Sequence, residues 1–367
     1  MDTVIQKITF PCDRRLLVLS DPHAHKEGVM SLLSQANFTK NDILVIVGDI
    51  LEKGPDSLGL LREIMRLCKT HTVHTLMGNV DYWRLWGVMT ENEKEQRDLI
   101  DFSIAARKWW PSSFLAEMLS ELSIPLTPEL DAKAVFPLLR QHFHSELSFL
   151  ENCPAILDTN EMIFVHGGIP HENLDELKTQ ERHIFLKWDR FLSSGLSFQK
   201  TVVVGHWPVT LYSPTFPCAL PVFEKKQNIL CIDGGCGVKK EGQINLLIFP
   251  SCTSKEYDLL TWDGLPTVKA LDFQAESDSF GYIRWGDDEV SVLEINGDTA
   301  KVLHHGKTMT VPAKGLYQKG GVWRASEITD YRLPVSPGDT LCVITETARG
   351  LYAKKNGVTG WYTGRYE

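Results

Sequence analysis

The sequence lacks any apolar run long enough to span a bilayer, so a membrane-spanning helix is not expected. The stretch Met1-Asp2-Thr3-Val4-Ile5-Gln6-Lys7 lacks the apolar core of a secretory signal, and a cytoplasmic location is the expectation. The eight cysteines include no CxxC pair, which argues against a zinc-thiolate site. They read as reduced thiols, and Cys68, Cys231 and Cys342 lie inside apolar runs. No GxSxG and no P-loop pattern occurs, so neither a serine nucleophile of that type nor a glycine-rich phosphate cradle is indicated. Positive charge is also short: 38 basic against 47 acidic residues leaves a net charge of −9. General attraction to nucleic acid or to an anionic membrane is thereby disfavoured.

What is present is a series of short apolar runs that end in polar residues. Leu44-Val45-Ile46-Val47 is followed by Gly48-Asp49, and Leu16-Leu17-Val18-Leu19-Ser20 by Asp21 and His23. Asn79, His166 and His206 close three more such runs. β-branched runs of this length read as buried strands. A carboxylate at the end of a buried strand costs free energy unless positive charge meets it. Open α/β sheets bind ligands at that edge, so the five ends describe one site. In extended backbone, Asp21 and His23 would point to the same side.

Length predicts two or three domains in the 367 residues. Residues 15–81 read as β-α-β-α-β, with helices near 27–37 and 56–69, the second capped by Asp56. Such alternation implies a largely parallel sheet with packed helices. Residues 82–152 read as a charged helical insertion, with Val135, Leu138, Leu139, Leu147 and Leu150 on one stripe, equally a lid or specificity wall and plain packing. Strands are expected at 161–169, 201–207, 228–236 and 242–249, with a helix near 173–193. The proline-bearing segment 208–227 reads as a loop over the site rim. Residues 1–272 thus form one expected domain, and 271–278 a linker. Residues 280–367 form an all-β region with turns at Asn296-Gly297, His305-Gly306, Pro337-Gly338 and Asn356-Gly357. This tail resembles bacterial SH3-like domains in Ser336–Leu341 and Asn356–Tyr362, with a second such barrel expected over 282–315. Tyr317, Trp323, Tyr352, Trp361 and Tyr362 are assigned to barrel core in preference to a peptide groove.

Asp21, His23, Asp49, Asn79, His166 and His206 are a mixed oxygen/nitrogen donor set, suited to Mn, Fe or Zn. Their number suits two ions sharing one carboxylate, an arrangement that clamps phosphoryl oxygens and generates hydroxide near neutral pH. Taken in order, Asp21-Pro22-His23, Gly48-Asp49, Gly78-Asn79, Val165-His166-Gly167-Gly168, Gly205-His206-Trp207 and Ile232-Asp233-Gly234-Gly235 resemble the calcineurin-like metallophosphoesterases. The resemblance is to their phosphoprotein phosphatase branch and covers roughly residues 14–250. It implies a four-layer αββα β-sandwich and hydrolysis of phosphate esters or anhydrides by metal-bridged hydroxide. It also implies two divalent metal ions held by those six residues, and a phosphorylated protein or nucleotide as substrate.

The departures from the family pattern are specific. Lys53 stands where the family clamps phosphate with arginine, and Lys lacks the bidentate fork. Val80 replaces the histidine that protonates the leaving oxygen, which Glu52 would orient. A bias toward phosphoanhydrides and aryl phosphates over alkyl esters follows, because general acid catalysis matters most for poor leaving groups. His25 and Asp81 are the substitute proton donors, and Arg84, Arg182 and Arg190 are candidate phosphate contacts. Asp233 reads as a turn residue near the site. His71, His74, His142, His144, His304 and His305 read as structural or solvated. The alternative function is a catalytically weakened, phosphatase-derived scaffold that captures a peptide partner through its tail.

Overall fold

The structure is a computed structural model and describes residues 3–367. Two compact units divide the chain. The first runs up to Trp207 and resumes over Pro221–Trp262; the second comprises Pro208–Leu220 and Asp263–Glu367.

In the first unit, β1 (Ile5–Lys7) precedes β2 (Leu16–Leu19), α1 (Lys26–Gln35), β3 (Ile43–Ile46), α2 (Ser57–Thr70) and β4 (Thr72–Thr75). Five helices follow: α3 (Asn79–Met89), α4 (Glu93–Ala106), α5 (Phe114–Glu121), α6 (Ala132–His142) and α7 (His144–Glu151). Then come β5 (Ile156–Asp158), β6 (Met162–Val165), the short α8 (Leu174–Leu177) and α9 (His183–Leu186), β7 (Thr201–Val204), β8 (Val222–Glu224), β9 (Ile229–Cys231), β10 (Ile244–Phe249) and β11 (Asp258–Trp262). Asp56 caps α2 as expected, accepting from the Gly59 N–H at 2.8 Å.

Two mixed sheets result, with orders β1-β5-β6-β7-β9-β8 and β11-β10-β2-β3-β4. Strands β2, β3 and β4 are parallel and in step, Leu19 beside Ile46 and Ile46 beside Thr75. Alternation turns Leu16, Val18, Ile43 and Val45 toward one core with Leu157, Phe164, Val203 and Leu230 of the other sheet. That shared core holds the two sheets face to face, so their strand ends meet at one edge.

Several expectations are corrected. The helix near 173–193 is broken into α8, α9 and a 3-10 turn at Phe191–Ser194. Leu138 is half exposed rather than part of the buried stripe, because the buried face of α6 runs through Ala132, Val135, Phe136 and Leu139. Residues 208–220 pack within the second unit, where the Ala219 N–H donates to the Gly357 carbonyl at 2.8 Å. Val222–Glu224 is a strand, not loop. Residues 271–278 are no free linker: the Gln274 amide donates to the Leu333 and Trp361 carbonyls at 2.8 and 2.7 Å, and Asp272 pairs with Arg365.

The second unit is antiparallel. Its sheets include Ser291–Asn296, Thr299–His304 and Lys307–Pro312, and separately Thr267–Lys269, Thr340–Thr347, Gly350–Lys355 and Val358–Tyr362. His305-Gly306 and Asn356-Gly357 are tight two-residue turns with positive φ at both positions, as hairpins demand. Tyr352, Trp361 and Tyr362 are buried, while Tyr317 is exposed. All eight cysteines are free thiols. Among the described residues, no helix is long and apolar enough to cross a membrane.

Phe164 lies fully buried where the two sheets meet. Phe164→Ala should lower stability by about 3–5 kcal/mol, read as an earlier transition of the first unit in urea.

Candidate metal centre

The register of β2, β3 and β4 fixes where the chain turns at the edge. Beyond it, the Asp21 N–H donates to the Gly48 carbonyl at 3.1 Å and the His23 N–H to the Asp49 carbonyl at 3.0 Å. On the other sheet, the Gly205 N–H donates to the His166 carbonyl at 3.0 Å. Glycines permit the close approach: a Cβ at Gly78 would run into the Asp49 backbone, and one at Gly205 into Ser20 and Asp21. Among the described residues, seven of the thirteen non-glycine positions with positive φ are Asp21, His23, Ala24, Asp49, Glu52, Lys53 and His206. Such strain gathers at functional sites. It also corrects the extended reading of Asp21-Pro22-His23: both side chains converge through left-handed backbone, not through a strand's alternation.

Asp49 is the centre of the cluster. Its Oδ2 lies 3.7 Å from His23 Nε2 and its Oδ1 3.4 Å from His166 Nε2. Asp21 Oδ1 is 3.8 Å from the same His23 nitrogen. Asn79 Oδ1 stands 3.0 Å from His166 Nε2 and 2.8 Å from His206 Nδ1. All six expected ligands therefore come together, as two donor groups joined by one carboxylate.

Each imidazole commits one ring N–H outward. His23 Nδ1 donates to the Leu51 carbonyl at 3.1 Å and His166 Nδ1 to the Val47 carbonyl at 2.8 Å. His206 Nε2 donates to Asp189 Oδ1 at 2.8 Å. The opposite nitrogen of each faces the cluster, which is how ligating histidines are held. Four carboxylates, those of Asp21, Asp49, Asp81 and Asp233, are at most 2 % exposed. Burial and the Asp233 charge push Asp21 well above the carboxylate range. Burial pushes Asp233 up to about 6. Burial opposes ionisation of Asp49 too, but the charge of His166 and its hydrogen bond, then His23 and Lys53, hold it low. Burial disfavours a charged His166, yet Asp49 and Asp21 outweigh it and push it up to about 10. Burial and Lys53 bring His23 down to about 3, and burial with His166 brings His206 down to about 4. Converging lone pairs among buried anions fit divalent cations, which would displace the His166 proton.

The remaining site candidates are placed differently. Lys53 is turned inward, its Nζ donating to His23 Nε2 at 2.9 Å, rather than reaching out as a phosphate clamp. Arg84 is held on Glu52 at 2.8 Å and over the Phe102 ring at 3.9 Å, because the fully buried Glu52 needs a cation. Glu52 also accepts from the Phe114 N–H at 3.1 Å, so it braces the helical insertion. Asp81 accepts N–H bonds from Ile50, Leu51 and Gly78 at 3.0–3.1 Å, which ties the Asp49 turn to the start of α3, and burial with the Asp49 charge pushes its carboxyl up to about 7. His25 Nδ1 donates to the Pro22 carbonyl at 3.1 Å, and burial lowers its pKa. Arg182 is buried and donates to the Glu151 carbonyl at 3.2 Å. Arg190 is exposed, 5.8 Å over the Trp207 ring. The residue that sequence reasoning missed is Asp189, which sits in an irregular stretch without periodicity after α9. Among the described residues one further trio, Asp287, His304 and His305, has metal-ligand spacing, in the second unit.

No curated protein sequence matches the chain. Similar solved structures include a candidate diadenosine tetraphosphatase, at 18% identity over 71% of this chain and 100% of that one, with a TM-score of 0.44. A Saccharomyces cerevisiae protein serine/threonine phosphatase is 14% identical over 72% of this chain and 84% of its own, with a TM-score of 0.45. A cold-active protein-tyrosine phosphatase of a psychrophilic Shewanella is 16% identical over 70% and 82%, with a TM-score of 0.41. The sequence model of the calcineurin-like phosphoesterases matches residues 14–234, well over half of the chain, and the chain belongs to that family of metal-dependent hydrolases.

Proposed function

We propose that this chain is a dinuclear phosphoesterase that hydrolyses phosphate esters or anhydrides. Asp21, His23 and Asp49 would hold one ion, and Asp49, Asn79, His166 and His206 the other. The observation that carries the reading is the Asp49 carboxylate, whose two oxygens face two separate imidazoles. Two divalent ions at these donors would supply Lewis acidity for the phosphoryl group and lower the pKa of water between them.

The chain's own residues provide the rest. Leu51, Val47 and Asp189 fix the tautomers of His23, His166 and His206. Asp81 holds the Asp49 turn, and the Val80 N–H donates to Asp49 Oδ1 at 2.8 Å, which keeps the shared carboxylate in place. Lys53 is the nearest cation to the cluster, and a shift off His23 would bring it to a phosphoryl oxygen. Val80 offers no proton at the leaving oxygen, and Glu52, Asp81 and His25 are engaged elsewhere. The rate should therefore depend steeply on how well the leaving group departs unaided, favouring anhydrides and aryl esters over alkyl esters.

Three outcomes test this reading. Asp49→Asn should cut manganese-dependent turnover of p-nitrophenyl phosphate by more than about a hundredfold; a variant that retains its activity contradicts the shared-carboxylate assignment and favours the scaffold alternative. Asp189→Ala should weaken manganese affinity about 10–100-fold by freeing the His206 ring, measured by titration calorimetry. Val80→His should raise the rate on an alkyl phosphate relative to an aryl phosphate, by up to about 10²–10⁴-fold if the new ring reaches the leaving oxygen; a steady-state comparison of the two substrates reads the ratio.

A further inference from the structure

A cavity of about 550 Å³ opens directly beside the second donor group. Asn79 and Asp189 lie at its polar end, and each contacts His206, Asn79 at Nδ1 and Asp189 at Nε2. Tyr82 and Trp83 on the first turns of α3, and Ile184, Leu186 and Trp188 on the segment that begins with α9, supply apolar wall, and His183 and Lys187 of that segment also line it. Trp83 is 49 % exposed and Ile184 42 %, so this apolar surface is open rather than buried in the helical insertion. The Tyr82 and Trp83 rings meet edge to face, centroids 5.2 Å apart, which holds one beside the other. Concave apolar surface that closes on a few polar groups is how small-molecule sites are built.

We infer that this cavity receives the aromatic ring of the leaving group, and that the preferred substrates are aryl phosphate monoesters. The inference rests on the phosphoesterase reading above and names its substrate class. Two independent features point to the same chemistry. The walls include the aromatic side chains of Tyr82, Trp83 and Trp188, suited to an apolar ring. Val80 leaves the departing oxygen without a proton donor, and a phenol, which ionises near pH ~10, departs far more readily than an alcohol. One ring thus answers both the shape of the cavity and the missing acid. In the reaction, water oxygen bonds to phosphorus as the phosphorus–aryl oxygen bond breaks. The phenolate leaves with the electron pair and takes its proton from solvent, and orthophosphate remains.

The test compares phenylphosphonate with methylphosphonate, whose carbon–phosphorus bonds resist hydrolysis, by calorimetry on the full chain with manganese. Phenylphosphonate should bind at least about tenfold more tightly. Trp83→Ala should reduce that preference to below about threefold, and Trp83→Phe should keep most of it. The ratio of kcat/KM for phenyl phosphate over acetyl phosphate should fall in the alanine variant in parallel. No preference in the unaltered protein, or one that survives Trp83→Ala, overturns the inference while manganese-dependent turnover leaves the phosphoesterase reading standing. Absence of both binding and turnover overturns the two together. ADP is the third ligand: if Trp83→Ala weakens ADP and spares phenylphosphonate, the cavity holds a nucleobase and the aryl assignment is wrong.

Discussion

Four buried carboxylates within one strand-edge cluster set the terms for this structure. Their mutual repulsion and loss of water would dissolve the arrangement unless positive charge answers them. Lys53 and a protonated His166 do so in part. The rest of the demand matches divalent ions, and the geometry is prepared for them. Three imidazoles have one nitrogen tied outward and the other aimed inward, and Asp49 presents one oxygen to each side.

The fold meets that demand by bringing two sheets to a common edge. Leu16, Val18, Ile43 and Val45 from one sheet interlock with Leu157, Phe164 and Val203 from the other, and this core fixes the spacing of the strand ends. Left-handed backbone at Asp21, His23, Asp49 and His206 then turns the side chains inward. The cost of those conformations, roughly 1–3 kcal/mol each, is sustained because the neighbouring strands leave no other path. Asp81 belongs to the same economy of positions. Its two oxygens hold three backbone N–H groups and so lock the Asp49 turn against α3.

How much of this could be seen in the sequence follows from range. Asp21, Asp49, Asn79, His166 and His206 each close an apolar run, a local pattern, and parallel register within each sheet carries its own ligands to one edge. The tight turns at His305-Gly306 and Asn356-Gly357 were equally local, since both residues tolerate positive φ. What escaped depends on long-range pairing. Arg84 is taken up by Glu52, 32 positions earlier in the chain, and Lys53 by His23. Neither pairing leaves a trace in spacing. Asp189 lies between short helices, where no period marks it, and the polar stretch 271–278 looked like a linker because its partners, Leu333, Trp361 and Arg365, are far away in the chain.

The path of the polypeptide between Trp207 and Pro221 carries a consequence of its own. After Trp207 the chain leaves the first unit, contributes Pro208–Leu220 to the second, and returns as β8. The second unit is therefore built from two separate stretches of chain rather than from one C-terminal segment. Removing everything after Trp262 would not give a trimmed hydrolase. It would strip hydrogen-bonding partners from a thirteen-residue excursion that begins two positions beyond a candidate ligand.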